Sequence, residues 1–292
     1  MKKKGPLYTI IAIAIAIGYY FTNNSSKATA PSSKETSTTV SKSTKTTDAA
    51  TKKATKTINT TASSSTKAFD FLPTSTTNQV VKHDYYTLSY SEKHEQAEWV
   101  AYELTKNQIS RSKHKRPYFT TDTKVKTKSA EWWNYKNSGY DKGHLCPAGD
   151  RKFSKKAHDA TFLTSNISPQ KHDFNAGVWN RLEQKTRYWA NKYDKLYVIT
   201  GGVLEENLKT IGDEKVSVPT HFYKILLDYT QPEVKAIAFL MPHKESKKPL
   251  YEFVVSIDMI EQITGIDFFP NLPDNIENII EKSDSYKQWS FR

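Results

Sequence analysis

The sequence predicts an α+β domain, a central and mainly antiparallel sheet flanked by helices, behind an N-terminal apolar segment and a polar tether. Three observations carry that reading. Short runs rich in β-branched and aromatic residues recur between residues 85 and 241, the material of strands with buried faces. Residues 175–193 instead bring Trp179, Leu182, Thr186 and Trp189 towards one face at helical spacing. Residues 22–77 are dominated by Ser, Thr, Lys and Ala, with almost no large apolar side chain before Phe69, and cannot bury enough surface to offset the entropy of ordering.

From the N-terminus, Met1-Lys2-Lys3-Lys4 opens onto an apolar run over 7–21, interrupted only by Thr9 and Gly18. At 1.5 Å per residue this run spans about 22 Å of a hydrocarbon core roughly 30 Å thick, which is short for a transmembrane helix. A secretory signal has the same basic start and apolar centre, and Ala28-Thr29-Ala30 supplies a small-residue cleavage pattern, although Pro31 directly after it opposes cutting there. Three lysines ahead of the run, with no matching cluster directly after it, favour a cytoplasmic N-terminus and an exported remainder. We therefore expect residues 1–21 to be a membrane anchor, with the membrane as a partner and the folded part held outside the cytoplasm. Cleavage of the same segment would give a secreted protein.

Residues 22–77 read as a disordered linker. They carry eight lysines against three acids, and with Lys2, Lys3 and Lys4 they account for +8 of the chain's net +12, leaving +4 for 78–292. The high pI thus belongs mostly to leader and tether, where positive charge serves solubility and spacing or attraction to an acidic polymer. The remaining 78–292 are long enough for one domain with a sizeable core, and hold every Trp and every His. Strands are expected at 85–90 and 97–104 around a polar turn, at 195–200 running into Gly201-Gly202, at 221–227 and at 235–241; a long helix at 175–193 precedes the last three. A second helix is expected at 256–264, closed by Gly265. Cys146 is the only cysteine, so no intrachain disulfide and no Cys/His zinc site can form, and it reads as a small buried hydrophobe.

The chemistry concentrates in Asp141-Lys142-Gly143-His144 and in the segment that begins at Asn175. A neutral imidazole suits removal of a proton from water, and Lys142 beside it suits phosphate oxygens. Asn175, Trp179, Glu183 and Arg187 recur every four residues, so a continuous helix would place them along one stripe, the Asn175 amide oxygen towards a metal and Glu183 towards metal-bound water. Alone, Glu183 and Arg187 would read as a surface ion pair and Trp179 as core. With His144 the constellation points to a one-metal phosphodiesterase centre. His83, His94, His114, His158, His172, His221 and His243 lack the tight spacing of zinc ligands.

Over roughly 85–273 the chain resembles the DNA/RNA non-specific endonucleases of the ββα-metal (His-Me finger) superfamily, which include secreted bacterial nucleases and mitochondrial endonuclease G. The family signature is Asp-Arg-Gly-His. His144 takes the place of its general base, and Lys142 that of its arginine, keeping the charge but losing the two-pronged phosphate grip. The resemblance implies Asn175 as metal ligand, Glu183 as water-orienting carboxylate, Asn166 as site support, Arg187 as the cation steadying the departing phosphate, and Arg116 as an upstream phosphate contact. It implies a Mg²⁺-dependent enzyme, with Mn²⁺ as substitute, that cuts DNA and RNA to 5′-phosphate products. The alternative from a different class is a catalytically inactive surface protein that binds nucleic acid. A homodimer, and an inhibitor protein as a further partner, are both compatible with the sequence.

Overall fold

The computed structural model describes residues 69–230 and 233–291; the segment expected at 1–21 and the tether as far as residue 68 lie outside these. The strands are β1 (Val80–Lys82), β2 (Thr87–Ser91), β3 (Gln96–Thr105), β4 (Asp141–His144), β5 (Ile167–Gln170), β6 (Lys195–Gly202), β7 (Thr210–Ile211), β8 (Val216–Ser217), β9 (His221–Asp228), β10 (Lys235–Pro242) and β11 (Val254–Val255). The α-helices are α1 (Lys155–Ala160), α2 (Asn180–Lys192), α3 (Ile257–Thr264) and α4 (Asp274–Glu281).

Seven strands form one sheet in the order β1-β2-β3-β6-β9-β10-β11, antiparallel throughout. This is the sheet expected from the sequence, with a short strand added at each edge. The central strands are buried along almost their whole length rather than at alternate residues, so both faces are covered. On one face Leu182 and Trp189 of α2 join Leu104, Val198, Leu226, Ile237 and Phe239 in a single core cluster. Trp189 meets Trp289 edge-on at 5.0 Å and lies 6.1 Å from Phe239, so the C-terminal residues seal the far end of the helix. Truncating such a buried tryptophan costs about 3–5 kcal/mol. On the other face Tyr223 packs against Phe268, just beyond α3.

Helix α3 starts and stops as its sequence dictates. The Ser256 hydroxyl accepts from the Met259 amide at 3.2 Å, and Gly265, in the left-handed region at φ 70°, donates to the Glu261 carbonyl at 2.7 Å. The helix expected over 175–193 is not continuous. Phe174–Trp179 is a π-helical turn in which Gly177 leaves helical geometry at φ −96°, ψ −110°, and regular α-helix begins only at Asn180. The four-residue stripe from Asn175 to Arg187 is therefore broken at its first step.

The expectation of a membrane anchor and a membrane partner is corrected. Among the described residues no helix is long and apolar enough to cross a membrane, and the longest, α2, carries Arg181, Glu183, Lys185, Arg187 and Lys192. The run at 7–21, on which the expectation rested, falls short of the roughly 20 apolar residues a span requires and lies outside the described residues. A membrane-bound location is not carried further.

Candidate active site

A two-stranded ribbon, β4 against β5, stands apart from the main sheet and pairs His144 with Ile167, Gly143 with Ser168 and Asp141 with Gln170. The chain then enters the π-helical turn and α2, giving the order strand, strand, helix. Asn166 closes the ribbon: its Oδ1 accepts from the Cys146 amide at 2.8 Å, and its Nδ2 donates to the carbonyls of Cys146 and Thr161. The turn after His144 is thereby fixed by side-chain amide bonds. Cys146 is buried and free, its thiol pushed up to about 12 by burial.

His144 lies between two rings, Phe119 at 5.5 Å and Phe162, edge-on, at 5.0 Å. Its Nε2 is buried without a hydrogen-bond partner. Burial, and after it the positive charge of Arg116 and His158, pushes the imidazole down to about 3, so it is neutral at physiological pH. Arg116 reaches the site through Phe162, its guanidinium carbon 5.4 Å from that ring. Lys142 sits in an aromatic cage, its Nζ 5.6 Å from Phe119, 5.8 Å from Tyr135 and 6.0 Å from the half-exposed Trp132. Among the described residues it has no acidic partner, so its charge is held by ring faces. Gly143 is packed against the paired strand: a Cβ there would overlap Cδ of Gln170, whose buried side chain fills the space.

Asn175 is oriented by the ribbon. Its Nδ2 donates to Asp141 Oδ2 at 3.0 Å, and the same oxygen lies 2.9 Å from His172 Nδ1. With the amide nitrogen committed, Asn175 Oδ1 is the atom left to face a cation, and a neutral carbonyl oxygen is a ligand type that hard divalent ions accept. Among the described residues, groups of three His, Cys, Asp or Glu close enough to share an ion occur only near the C-terminus. The ribbon and π-helical turn thus offer few direct protein ligands.

Glu183 and Arg187 belong to a second cluster. Strand β9 turns Phe222, Lys224 and Leu226 to one face by its two-residue period, and Lys224 is completely buried, its Nζ 4.9 Å from the Trp179 ring and without a hydrogen-bond partner. Burial raises the Glu183 carboxyl to about 7; Lys224 pulls it back and Asp150 adds to the rise. Burial lowers the Lys224 ammonium while Glu183 and Asp150 oppose that shift. Arg187 does not pair with Glu183. Its Nη1 donates to Asp150 Oδ1 at 2.6 Å, and the buried Asp150 also accepts from the Tyr102 hydroxyl at 2.7 Å. Among the described residues no hydrogen bond joins Glu183 to His144 or Asn175.

The structure therefore gathers His144, Lys142 and Arg116 around Phe119 and Phe162, ties Asn175 to the motif's own Asp141, and sets Glu183 and Arg187 with Asp150 and Lys224 under α2. The aromatic cage, Asp150's place between Arg187 and Tyr102, and Lys224 were not foreseen from sequence. Lys224 alone had a usable signal, since a lysine within Phe222-Tyr223-Lys224-Ile225-Leu226-Leu227 has no solvent face to occupy.

The family profile for DNA/RNA non-specific endonucleases matches residues 64–275. Mitochondrial nuclease EXOG of Danio rerio is 33% identical over 224 residues, covering 71% of this chain and 65% of that protein. Mitochondrial endonuclease G of Homo sapiens is 32% identical over 209 residues, covering 66% of this chain and 70% of that protein. The crystal structure of EndoG in complex with EndoGI superposes with a TM-score of 0.62 at 29% identity, over 66% of this chain and 86% of that one. The chain spans just under two thirds of the EXOG protein's length.

Proposed function

The chain belongs to the DNA/RNA non-specific endonuclease family, and on that premise we propose that it hydrolyses phosphodiester bonds of DNA and RNA, without sequence preference, in the presence of Mg²⁺ or Mn²⁺. The observation that carries this reading is the neutral His144, whose buried Nε2 has no protein partner, beside the ring-held cation of Lys142.

In this reading His144 accepts a proton from the attacking water, a P–O bond forms as the bond to the 3′-oxygen breaks, and the 3′-oxygen takes a proton from solvent water, giving 5′-phosphate and 3′-hydroxyl ends. Lys142 and Arg116 supply positive charge to the phosphate oxygens, where charge grows as water attacks. Asn175 Oδ1 would hold the cation, with Glu183 orienting the water around it, and Arg187 steadies the departing phosphate from its bond to Asp150. Bound there, the divalent ion supplies Lewis-acid stabilisation of the phosphate and of the leaving oxygen. No step uses a 2′-hydroxyl, so the centre serves DNA and RNA alike, and contacts confined to phosphate carry little base information. The complex of EndoG with EndoGI makes a protein inhibitor a partner class to test for this chain as well.

The test is cleavage of plasmid and of RNA by the full chain, with and without chelator, alongside His144→Ala. We expect chelation to stop cleavage, and the variant to lose about 10²- to 10⁴-fold in rate while keeping its fold and its affinity for nucleic acid. Tight binding with no cleavage by the wild type under any divalent ion would replace the enzyme with a nucleic-acid-binding protein.

A further inference from the structure

Five carboxylates at the C-terminal end take no part in the reaction above. Asp258 and Glu261 stand on α3, Asp267 in the loop after it, and Glu277 and Glu281 on α4. Ligand oxygens of Asp258, Glu261 and Glu281 lie within 4.8 Å of one another, and so do those of Asp267, Glu277 and Glu281. Glu281 is common to both groups. It is only 8% exposed, and its Oε1 is buried with no hydrogen-bond partner. Among the described residues no lysine, arginine or histidine forms an ion pair with any of the five.

The Phe268 amide donates to Glu261 Oε1 at 2.8 Å, but among the described residues no cation faces Glu281, and burial, followed by repulsion from Glu261 and the other neighbouring carboxylates, pushes its carboxyl up to about 8. We propose that this cluster is a calcium site, one Ca²⁺ held by Asp258 and Glu261 of α3 together with Glu281 of α4. Calcium takes six to eight hard oxygens at about 2.3–2.6 Å, so opposite ligands on one ion stand at most about 5 Å apart, and the spread within each group falls inside that limit. Magnesium favours a small octahedral shell rich in water and would use such a crowd of carboxylates poorly. The site would pin α4 to α3. Beside it, Asp267 ties the loop after α3 to the start of the described residues, its amide donating to Thr74 Oγ1 at 2.8 Å and its carbonyl accepting from the Thr74 amide at 2.9 Å. This inference is independent of the nuclease reading.

The experiment uses the full chain carrying Asn175→Ala, stripped with chelator and returned to Mg²⁺, so that ions at the candidate active site do not enter the signal. Calorimetric titration with Ca²⁺ should give one binding event, and the thermal midpoint should rise by about 5–10 °C at a hundredfold excess over Kd. Adding Glu281→Gln should abolish both signals while leaving a folded protein whose calcium-free midpoint equals or exceeds that of its parent, since a buried, unpartnered acid among other acids has been removed. Asp258→Asn, at a less buried position, should weaken the affinity tenfold or more. Absence of heat and of any midpoint shift at about 10 mM Ca²⁺, or a shift that survives both Glu281→Gln and Asp258→Asn, would overturn the proposal.

Discussion

A histidine that must take a proton cannot already carry one, and the setting of His144 enforces that condition. Its folded value near 3 lies below the ordinary 6.5, so between those pH values the unfolded chain binds a proton that the folded one refuses. Stability contributed by this position is therefore lost as pH falls through that window, at up to about 1.4 kcal/mol per pH unit. We expect His144→Ala to be spared that loss. Urea titrations of both proteins at pH 7 and pH 5 should show the variant gaining on the wild type by up to roughly 2 kcal/mol at the lower pH, and an unchanged difference would argue against a buried neutral imidazole. Lys142 gives a second expectation. A planar guanidinium stacks well on ring faces, so Lys142→Arg should keep or raise turnover within the cage of Phe119, Trp132 and Tyr135, whereas Lys142→Ala should lower it without unfolding the domain. Steady-state kinetics on a short duplex decides this, and an alanine variant as fast as wild type would reduce Lys142 to a bystander.

At the scale of elements, the ribbon, the π-helical turn and β9 each constrain one part of the site. Adding a methyl group at Gly143 drives into Gln170, so Gly143→Ala should cost about 1–3 kcal/mol through overpacking, and Gly143→Ala with Gln170→Ala should recover part of it in thermal denaturation. Lys224 on β9 is the main attraction that holds the Glu183 carboxyl down. Lys224→Met should destabilise the domain, because it leaves the buried Glu183 and Asp150 without their shared cation, while Glu183 rises above about 7 and the acid limb of the pH-rate profile moves to higher pH. A profile that does not move would separate Glu183 from the rate. These elements also show how far the chain can be read without coordinates. The five inner strands of the main sheet and the Gly265 stop of α3 were legible because each depends on local composition, period or a left-handed glycine. The break at Gly177 was not, since Asn175, Trp179, Glu183 and Arg187 satisfy a helical pattern that the backbone does not follow. Nor was the reason for glycine at 143 legible, a side chain that approaches from the paired strand. Arg187's choice of Asp150 over Glu183 likewise depends on a partner outside the helix.

For the whole molecule, the described residues ahead of β1, from Phe69 onward, are part of the folded body. Phe69 stacks on Tyr229 at 4.3 Å, Phe71 meets Tyr197 at 4.5 Å, and the buried Glu98 accepts from the Thr76 amide and hydroxyl and from Ser89. A chain beginning at residue 78 would leave the Glu98 carboxylate short of partners, at about 1–3 kcal/mol for each unsatisfied group. We expect it to melt several degrees below a chain beginning at residue 69. Equal midpoints would show the leading residues to be dispensable.

The sheet order also carries a consequence for how the molecule is assembled. The chain leaves the sheet at Thr105 and re-enters it at Lys195 on the neighbouring strand, directly opposite its point of departure. Most of the groups assigned to the chemistry, from Arg116 to Arg187, ride on that single detour, and the sheet closes behind it as though nothing had been inserted. The detour behaves as a cassette whose two ends are already joined by backbone pairing. Its transfer between related scaffolds would have to bring along the sheet residues that α2 covers, Leu104, Val198, Leu226, Ile237 and Phe239, with Tyr102 of β3 and the buried lysine of β9.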